Sequence, residues 1–217
     1  IGLDGSSNVE IGCLEITDHS ECIESHCSNG TCSGGASQIS QCVRDNPPFG
    51  AWSSIAVHAS DSSNVWLHDL NIHGMANRGI VAGGLRDWTV ESVKLRANGW
   101  AGWDGDIGSG SSNFGTQTFR RFDVSWNGCG ERYPGGEIFG CWAQEEAGYG
   151  DGFGTAQTGG NWVFEDSSFT NNTSDGLDLL YADGSGSITI RRVRAESNAG
   201  NQLKTNGSTS IVNSLIV

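Results

Sequence analysis

Three aspartates and one lysine in the last third of the chain have residue types and a spacing that suit cation-assisted chemistry on an anionic substrate. Asp175 and Asp178 lie in the stretch NNTSDGLDLLYADG (171–184), Asp151 precedes them and Lys204 follows them. Carboxylates that lie close together repel each other unless a proton or a cation intervenes. Ca²⁺ is the natural candidate, because it accepts several carboxylate oxygens in irregular geometry. This chemistry requires a fold that brings the four residues together.

A repeat that runs through the chain predicts how these residues are positioned. Apolar residues recur at positions i, i+2, i+5 and i+7, for example at Val65, Leu67, Leu70 and Ile72. Each copy indicates two short strands of period two, separated by a bend that shifts the inward parity by one residue. A third apolar strand follows after a turn. The copies recur at a period of roughly 20 to 30 residues, which is typical of a solenoid.

Three short strands per turn at this period predict a coil in which each strand pairs in parallel with the equivalent strand of the next coil. We therefore expect an all-β fold, a right-handed parallel β-helix of about seven coils, forming a single domain over 1–217. The 33 glycines and only 3 prolines favour many short strands joined by tight turns.

A column of asparagines supports this register. Four asparagines each follow the last inward residue of their repeat by three positions, and they are Asn98, Asn127, Asn172 and Asn198. Equal offsets predict that the four stack and that their side-chain amides hydrogen-bond to neighbouring turns and to each other.

The third strands bring the acidic residues together. Their predicted inward residues in coil order are Trp103, Phe153, Leu177 and Leu203, and Ile80 belongs to the same column. The next residues point outward, and in the same order they are Asp104, Gly154, Asp178 and Lys204. Asp151 and Asp175 stand two residues before the inward position. The three candidate ligands should therefore lie within one or two coil steps of about 4.8 Å each.

The stretch 151–207 resembles the core of polysaccharide lyase family 9, the calcium-dependent pectate lyases of β-helix fold. That family has a DGF motif, then N-x-DDGWD, then N-G-F-K-x-x-G, and this chain has DGF, SDGLD and NQLKTNG in the same order. The resemblance implies that Asp151, Asp175 and Asp178 bind Ca²⁺ and that Lys204 is the catalytic base. Ser174 replaces the first aspartate of DDGWD, so we expect a weaker calcium site. The resemblance covers about a quarter of the chain.

These residue types suit β-elimination across a uronic acid. The proton on the carbon next to the carboxylate is only weakly acidic, and a cation there stabilises the enolate-like charge that develops when the proton leaves. A lysine can remove that proton only if its pKa is lowered, which burial or an adjacent Ca²⁺ does and nearby aspartates oppose. We therefore expect a secreted, calcium-dependent lyase that acts on a polyuronic acid such as pectate.

Two other functions fit the same residues. The first is a noncatalytic, calcium-braced β-helix that binds glycans or serves as a surface or appendage module. The second is a glycoside hydrolase that uses paired carboxylates such as Asp104 and Asp178, whose carboxyl groups would then lie roughly 5 to 10 Å apart. A hydrolase releases a saturated product, whereas a lyase releases an unsaturated one.

The charge of the chain restricts its partners. The formal net charge is −13, from 25 acidic and 12 basic residues. A basic patch for a phosphate backbone can hardly be assembled from so few cations, so we expect no nucleic-acid partner. An acidic polysaccharide is compatible with this charge if a cation offsets the repulsion. No apolar run approaches the length of a membrane span.

The seven cysteines favour disulfides, and hence an extracellular, periplasmic or cell-surface location. Five of them crowd the first fifth of the chain, and the odd number leaves one thiol without a partner inside the chain. The five histidines form no common column and are expected at the surface or at the edge of the core; they are His19, His26, His58, His68 and His73.

Two long insertions interrupt the repeat, a Cys-rich one at 27–53 and a loop at 128–150. Long loops on a solenoid often serve binding, so Trp142 and Tyr149 are candidates for the wall of a substrate groove together with Asp104. The last copy stops before its third strand, and neither end shows a cap. Open ends of a β-helix present unpaired strand edges, from which we expect missing capping segments or an end-to-end partner.

Overall fold

A computed structural model of the chain describes residues 1–19, 21–24, 40–42, 52–107, 113–141 and 150–217. Within these ranges the regular elements are strands: β1 Ser7–Thr17, β2 Cys22–Ile23, β3 Ser40–Gln41, β4 Ile55–Ser60, β5 Ser63–His73, β6 Arg78–Gly83, β7 Thr89–Arg96, β8 Ala101–Gly105, β9 Thr116–Arg120, β10 Asp123–Ser125, β11 Cys129–Arg132, β12 Glu137–Cys141, β13 Phe153–Thr155, β14 Asn161–Glu165, β15 Ser168–Thr170, β16 Leu177–Leu179, β17 Ser187–Arg191, β18 Arg194–Glu196, β19 Leu203–Thr205, β20 Ser208–Val212 and β21 Leu215–Ile216. No helix among the described residues is long and apolar enough to cross a membrane.

Two large parallel sheets form the body of the protein. One sheet has 11 strands and contains the first and second strands of the coils, and the other has six strands in the order β19-β16-β13-β8-β6-β4. The long strands β1, β5 and β7 each supply both the first and the second strand of their coil. Within these two sheets the strands pair in parallel with their equivalents in neighbouring coils, so the predicted all-β parallel β-helix is confirmed.

The predicted register of the third strands is confirmed as well. Trp103 pairs with Ile80 on one side and with Phe153 on the other. Leu177 continues the column from Phe153 to Leu203. Trp103, Phe153 and Leu177 are almost completely buried, and the indole of Trp103 stacks on the ring of Phe153 with centroids 5.4 Å apart. The aromatic core therefore fixes the outward positions of the same strands.

The bend between the first and second strands is made by one residue in the left-handed conformation. In successive coils these residues are Cys13, Asp69, Ser92, Arg121, Asp166, Arg192 and Asn213, with φ between 50° and 58°. Such a φ is unfavourable for residues other than glycine. It is compensated here because the bend N–H donates to the next coil, as from Arg121 to Glu165 O and from Asp166 to Arg191 O at 3.1 Å each. The single left-handed residue explains the shift in inward parity.

The asparagine ladder exists as predicted. The side-chain amide of Asn98 donates to Asn127 Oδ1 at 2.9 Å, Asn127 donates to Asn172 at 2.9 Å, and Asn172 donates to Asn198 at 2.8 Å. All four side chains are buried. Gln202 ends the ladder by accepting from Asn198 at 2.7 Å. The ladder satisfies backbone groups at the turn before each third strand and holds that turn in place.

The segment 128–150 contains an antiparallel hairpin of β11 and β12, which the Cys129–Cys141 disulfide closes. A second disulfide joins Cys22 to Cys42. Cys13 is a free, exposed thiol. Most of the 27–53 insertion lies outside the described residues, as do Trp142 and Tyr149.

A buried carboxylate anchors the hairpin to the β-helix. Glu131 in β11 accepts from His73 Nδ1 and from Arg96 Nη1 at 2.8 Å each. Arg96 also donates to Gly136 O in the hairpin turn at 2.8 Å. The hydrogen bond to Glu131 is the main reason that the pKa of His73 is raised, against the opposing effect of burial. Charge therefore holds the hairpin to the β-helix, whereas the disulfide joins the two strands of the hairpin.

Replacing one rung of the ladder should cost far more stability than replacing an exposed asparagine. Asn127→Ala removes a hydrogen-bond partner from the buried N–H of Asn98, from the carbonyl of Leu95 and from the side-chain oxygen of Asn172. Each such group costs about 1 to 3 kcal/mol. We expect the free energy of unfolding, measured in urea, to fall by roughly 3 kcal/mol. The exposed Asn206, which makes one hydrogen bond to Ala182 O, is the control, and equal losses for Asn127→Ala and Asn206→Ala would contradict a structural role for the ladder.

The His73–Glu131 contact should make stability depend on pH. A folded-state pKa above the unfolded value of 6.5 contributes stability that is fully present below about pH 6.5 and is lost as pH rises through the folded-state pKa. His73→Gln should therefore destabilise the protein by about 1 kcal/mol at acidic pH and by less in alkaline solution. Urea unfolding of both proteins across this range gives the difference. A difference that is constant with pH would show that His73 is not charged in the folded state.

Candidate metal centre in the groove

A groove with a volume of about 350 Å³ runs along the outer face of the six-stranded sheet. The residues that line it include Trp100, Asp104, Asp106, Asp151, Gly154, Ser174, Asp175, Asp178, Tyr181 and Lys204. The candidate ligands and the candidate base thus lie in one place. This convergence follows from the coil register, which places Asp178 next to Gly154 on one side and Lys204 on the other.

Three carboxylates meet at the centre of the groove. One oxygen from each of Asp151, Asp175 and Asp178 lies within 4.8 Å of the other two. Asp175 and Asp178 are only 3% and 8% exposed, so water screens their charges poorly. Three partly desolvated carboxylates at this separation need a positive charge among them.

The carboxyl group of Asp151 has a raised pKa. Burial raises its pKa to about 6, although hydrogen bonds from the Ser174 side chain and from the N–H of Asp175 favour the ionised form. The Asp175 N–H donates to Asp151 Oδ1 at 3.0 Å. Gly154 provides the space for this side chain, because a Cβ atom there would lie 3.0 Å from Asp151 Oδ2.

Lys204 supplies the positive charge in this structure. Its ammonium group donates to Asp178 Oδ2 at 3.0 Å and forms a second ion pair with Asp175 Oδ2. Burial acts to lower the pKa of Lys204, but the hydrogen bonds to the two carboxylates outweigh burial and raise that pKa above its usual value. Asn201 completes the shell of Asp175, donating from its side chain to Oδ1 at 3.1 Å.

Two further aspartates, Asp104 and Asp106, line the other end of the groove, and Arg78 pairs with one of them. Asp104 is ion-paired with Arg78, whose guanidinium lies over the ring of Trp100 at 3.2 Å from its centroid. Asp104 Oδ1 accepts from the N–H of Asp106 at 3.0 Å. Burial, followed by repulsion from Asp104, raises the pKa of Asp106. Arg78 therefore offsets one of the two negative charges at this end.

The central residues fit a calcium ion by their chemistry. The candidate donors are three carboxylates with no sulfur or imidazole among them, and a hard cation prefers such oxygens. Ser174 stands where the resemblance expects an aspartate, and its hydroxyl hydrogen-bonds to Asp151. Asp151, Asp175 and Asp178 are therefore the residues that would hold the ion.

The sequence register missed one charged residue of the groove region. Arg78 occupies the same column as Asp151 and Asp175, two residues before the inward position, because it pairs with Ala101 while Ile80 pairs with Trp103. Extending that column by two coils toward the N-terminus would have found it. The hydrogen bond from Ser174 to Asp151 has no comparable signal in the sequence, since it depends on a rotamer.

Comparisons with known proteins give little further information. No protein-family model matches the chain, and no curated protein matches it. The crystal structure of pectate lyase Pel9A is similar over 74% of this chain and 49% of that chain, with 15% sequence identity and a TM-score of 0.38. The chain thus spans about half the length of that structure. A likeness at this level supports no conclusion about activity.

Asp151 should destabilise the metal-free protein at neutral pH. Its folded-state pKa of about 6 lies above the unfolded value of 3.8, so the stability of the protein falls as pH rises between these values and the cost persists above pH 6. Asp151→Asn keeps an oxygen that can accept from the Asp175 N–H. With chelator at pH 7, we expect this variant to be more stable than the wild type by on the order of 2 kcal/mol in urea unfolding.

Calcium should reverse that order. Added Ca²⁺ should stabilise the wild type by an amount that grows with concentration, because the ion binds only the folded state, and should stabilise Asp151→Asn much less. At about pH 2.5, where Asp151 is almost fully protonated in both the folded and unfolded states, the two proteins should differ little. A variant that is less stable than the wild type in chelator at pH 7 would show that the Asp151 charge is already compensated.

Proposed function

We propose that this protein is a polysaccharide lyase that cleaves a polyuronic acid such as pectate by calcium-dependent β-elimination. The observation that carries the proposal is the meeting of Asp151, Asp175, Asp178 and Lys204 in one groove. A polyuronic chain offers one carboxylate per sugar, and the proton to be removed lies on the adjacent carbon. Charge neutralisation and a nearby amine are the two things that this reaction needs.

Binding of a polyanion requires a cation in this groove. The protein carries a net charge of −13, and three carboxylates line the centre of the groove. When bound, Ca²⁺ would neutralise the carboxylates of protein and substrate and lower the energy of the enolate-like charge. Tyr181, which is 60% exposed at the groove, offers an aromatic ring against which a sugar face can pack.

Lys204 is the proposed base. As an ammonium group between Asp175 and Asp178 it cannot accept a proton. It becomes a base only when other positive charge satisfies these carboxylates and Nζ loses its proton. The neutral amine then takes the proton from the carbon next to the uronic carboxylate. The electron pair of that C–H bond forms the C=C bond, and the glycosidic C–O bond on the neighbouring carbon breaks. The glycosidic oxygen leaves with the electron pair of the C–O bond and takes a proton from water.

The ion-paired state of Lys204 also favours a second candidate function. In a noncatalytic glycan-binding β-helix, a lysine that is held by two aspartates would only balance their charge and would not contact the glycan. That function predicts binding of polyuronic acid that survives Lys204→Gln and no release of product. A hydrolase based on Asp104 and Asp178 has less support, because Asp104 is already ion-paired with Arg78.

The proposed location is outside the cytoplasm. Two disulfides, Cys22–Cys42 and Cys129–Cys141, support it, since such bonds persist in oxidising compartments. A polyuronic acid of a cell wall or extracellular matrix also lies outside the cytoplasm, where the protein could bind it.

The decisive assay measures the unsaturated product of polygalacturonate by its ultraviolet absorbance. We expect absorbance to rise with time in Ca²⁺ and to stop on addition of chelator. Lys204→Gln should lower the rate by about 10²- to 10⁴-fold, because it removes the base. Lys94→Gln is the matched control, since Lys94 is the other lysine of the chain and is exposed on β7, in the other sheet.

Three results would contradict the lyase proposal. The first is the absence of unsaturated product from any uronic polymer with folded protein in Ca²⁺. The second is a release of saturated reducing ends without ultraviolet absorbance, which would indicate a hydrolase. The third is binding that is equal in wild type and Lys204→Gln without turnover, which would indicate the glycan-binding function.

A further inference from the structure

We propose that a second metal site, for a zinc-like transition metal, lies on the 11-stranded sheet at Cys13, His68 and Asp69. One ligand atom from each of these residues lies within 4.8 Å of the other two. The donors are sulfur, nitrogen and oxygen, whereas those of the groove are oxygen alone. The site is formed by β1 and β5, which contribute no strand to the six-stranded sheet.

The coil register brings these residues together across 56 positions of sequence. Gly12 pairs with His68 and Leu14 pairs with Leu70, so the left-handed bend residues Cys13 and Asp69 are equivalent in neighbouring coils. A bend residue of this kind does not point into the core, and Cys13 is accordingly exposed. The thiol of one coil therefore lies beside the carboxylate of the next.

Gly12 lets the imidazole lie close to this pair. A Cβ atom at Gly12 would lie 2.2 Å from His68 Cε1 and 2.4 Å from Nε2, so a larger residue would displace the ring. The imidazole also stacks with the ring of Trp66, at 4.1 Å between centroids. The His68 side chain is only 15% exposed. The ring is held at a defined position before any ligand arrives, as preorganised sites require.

Two carboxylates divide the nitrogens of His68 between them. Nδ1 faces Asp69 Oδ2 at 2.9 Å, and Nε2 faces Glu10 Oε1 at 3.1 Å. A metal bound by Nδ1, Asp69 and Cys13 leaves Nε2–H to donate to Glu10. This arrangement of an outer carboxylate that orients a metal-bound histidine is common in zinc proteins and strengthens binding.

The donor set selects the metal. Thiolate and imidazole favour Zn²⁺ and its neighbours over Ca²⁺. Bonds of about 2.0 to 2.3 Å place the donor atoms of one ion roughly 3 to 4 Å from each other. The three donors lie within 4.8 Å of one another, so only small shifts are needed. Cys13 and Asp69 lie at the surface and can make that adjustment. The partial exposure leaves the fourth position to water.

Co²⁺ is the probe, because a thiolate ligand gives Co²⁺ a charge-transfer band in the near ultraviolet. Titration of the full chain, with the free thiol reduced, should give this band with one equivalent of metal, and Zn²⁺ should displace it. Cys13→Ser should abolish the band. Glu10→Gln should weaken metal binding by roughly tenfold to a hundredfold, as loss of an outer-shell partner does. Zn²⁺ should also slow alkylation of Cys13 in the wild type.

Asp175→Asn is the control, because it alters the groove and leaves the Cys13 cluster intact. We expect it to retain the cobalt band. A band that survives Cys13→Ser, or that is lost in Asp175→Asn, would overturn the proposal, as would alkylation of Cys13 at the same rate with and without Zn²⁺. Gly12→Ala provides a test that keeps every ligand, and an unchanged affinity for Co²⁺ in this variant would contradict the positioned imidazole.

Discussion

Parallel pairing of each strand with its equivalent one coil away is the constraint on which the other features depend. It converts sequence separations of 24 to 26 residues, such as those from Asp151 to Asp175 and from Asp178 to Lys204, into direct contacts. It does the same for the asparagine ladder and for the aromatic core. A side chain in this fold therefore contacts residues one coil away as readily as its chain neighbours. A single substitution thus affects the packing and hydrogen bonds of the whole column.

In the groove, such a column brings carboxylates of adjacent coils close together. Stacking carboxylates from adjacent coils concentrates negative charge that burial makes expensive, and the raised pKa of Asp151 is the visible result. Lys204 offsets this charge from within the chain. The same ammonium occupies the carboxylates that the proposed calcium ion would use. Binding of calcium and release of Lys204 are thus coupled through shared ligands, and this coupling is the physical link between metal and base in the proposed lyase.

Much of the fold could be predicted from the sequence because the repeat is strict where the core is. The inward column from Ile80 to Leu203 and the ladder from Asn98 to Asn198 were both correct, since burial on a two-residue period leaves no freedom of register. The groove followed from the same register. The ion pairs could not be predicted from the register, because the rotamers of long side chains such as Arg78 and Lys204 determine which carboxylates they contact. The surroundings of His68 could not be predicted from a column of histidines, because His68 lies against a cysteine and two carboxylates.

The left-handed bends have a consequence for how the surface of this protein can vary. Each bend residue projects away from the core, so its identity is decoupled from packing. Arg192 bonds to Asp166 in the coil before it at 2.6 and 2.8 Å, and Arg121 bonds to Ser92 in the same way at 3.0 Å. Along this edge the bend residues form a row with one side chain per coil, spaced by about 4.8 Å. Substitutions of these residues can change the charge and polarity of the edge without changing the shape of the β-helix.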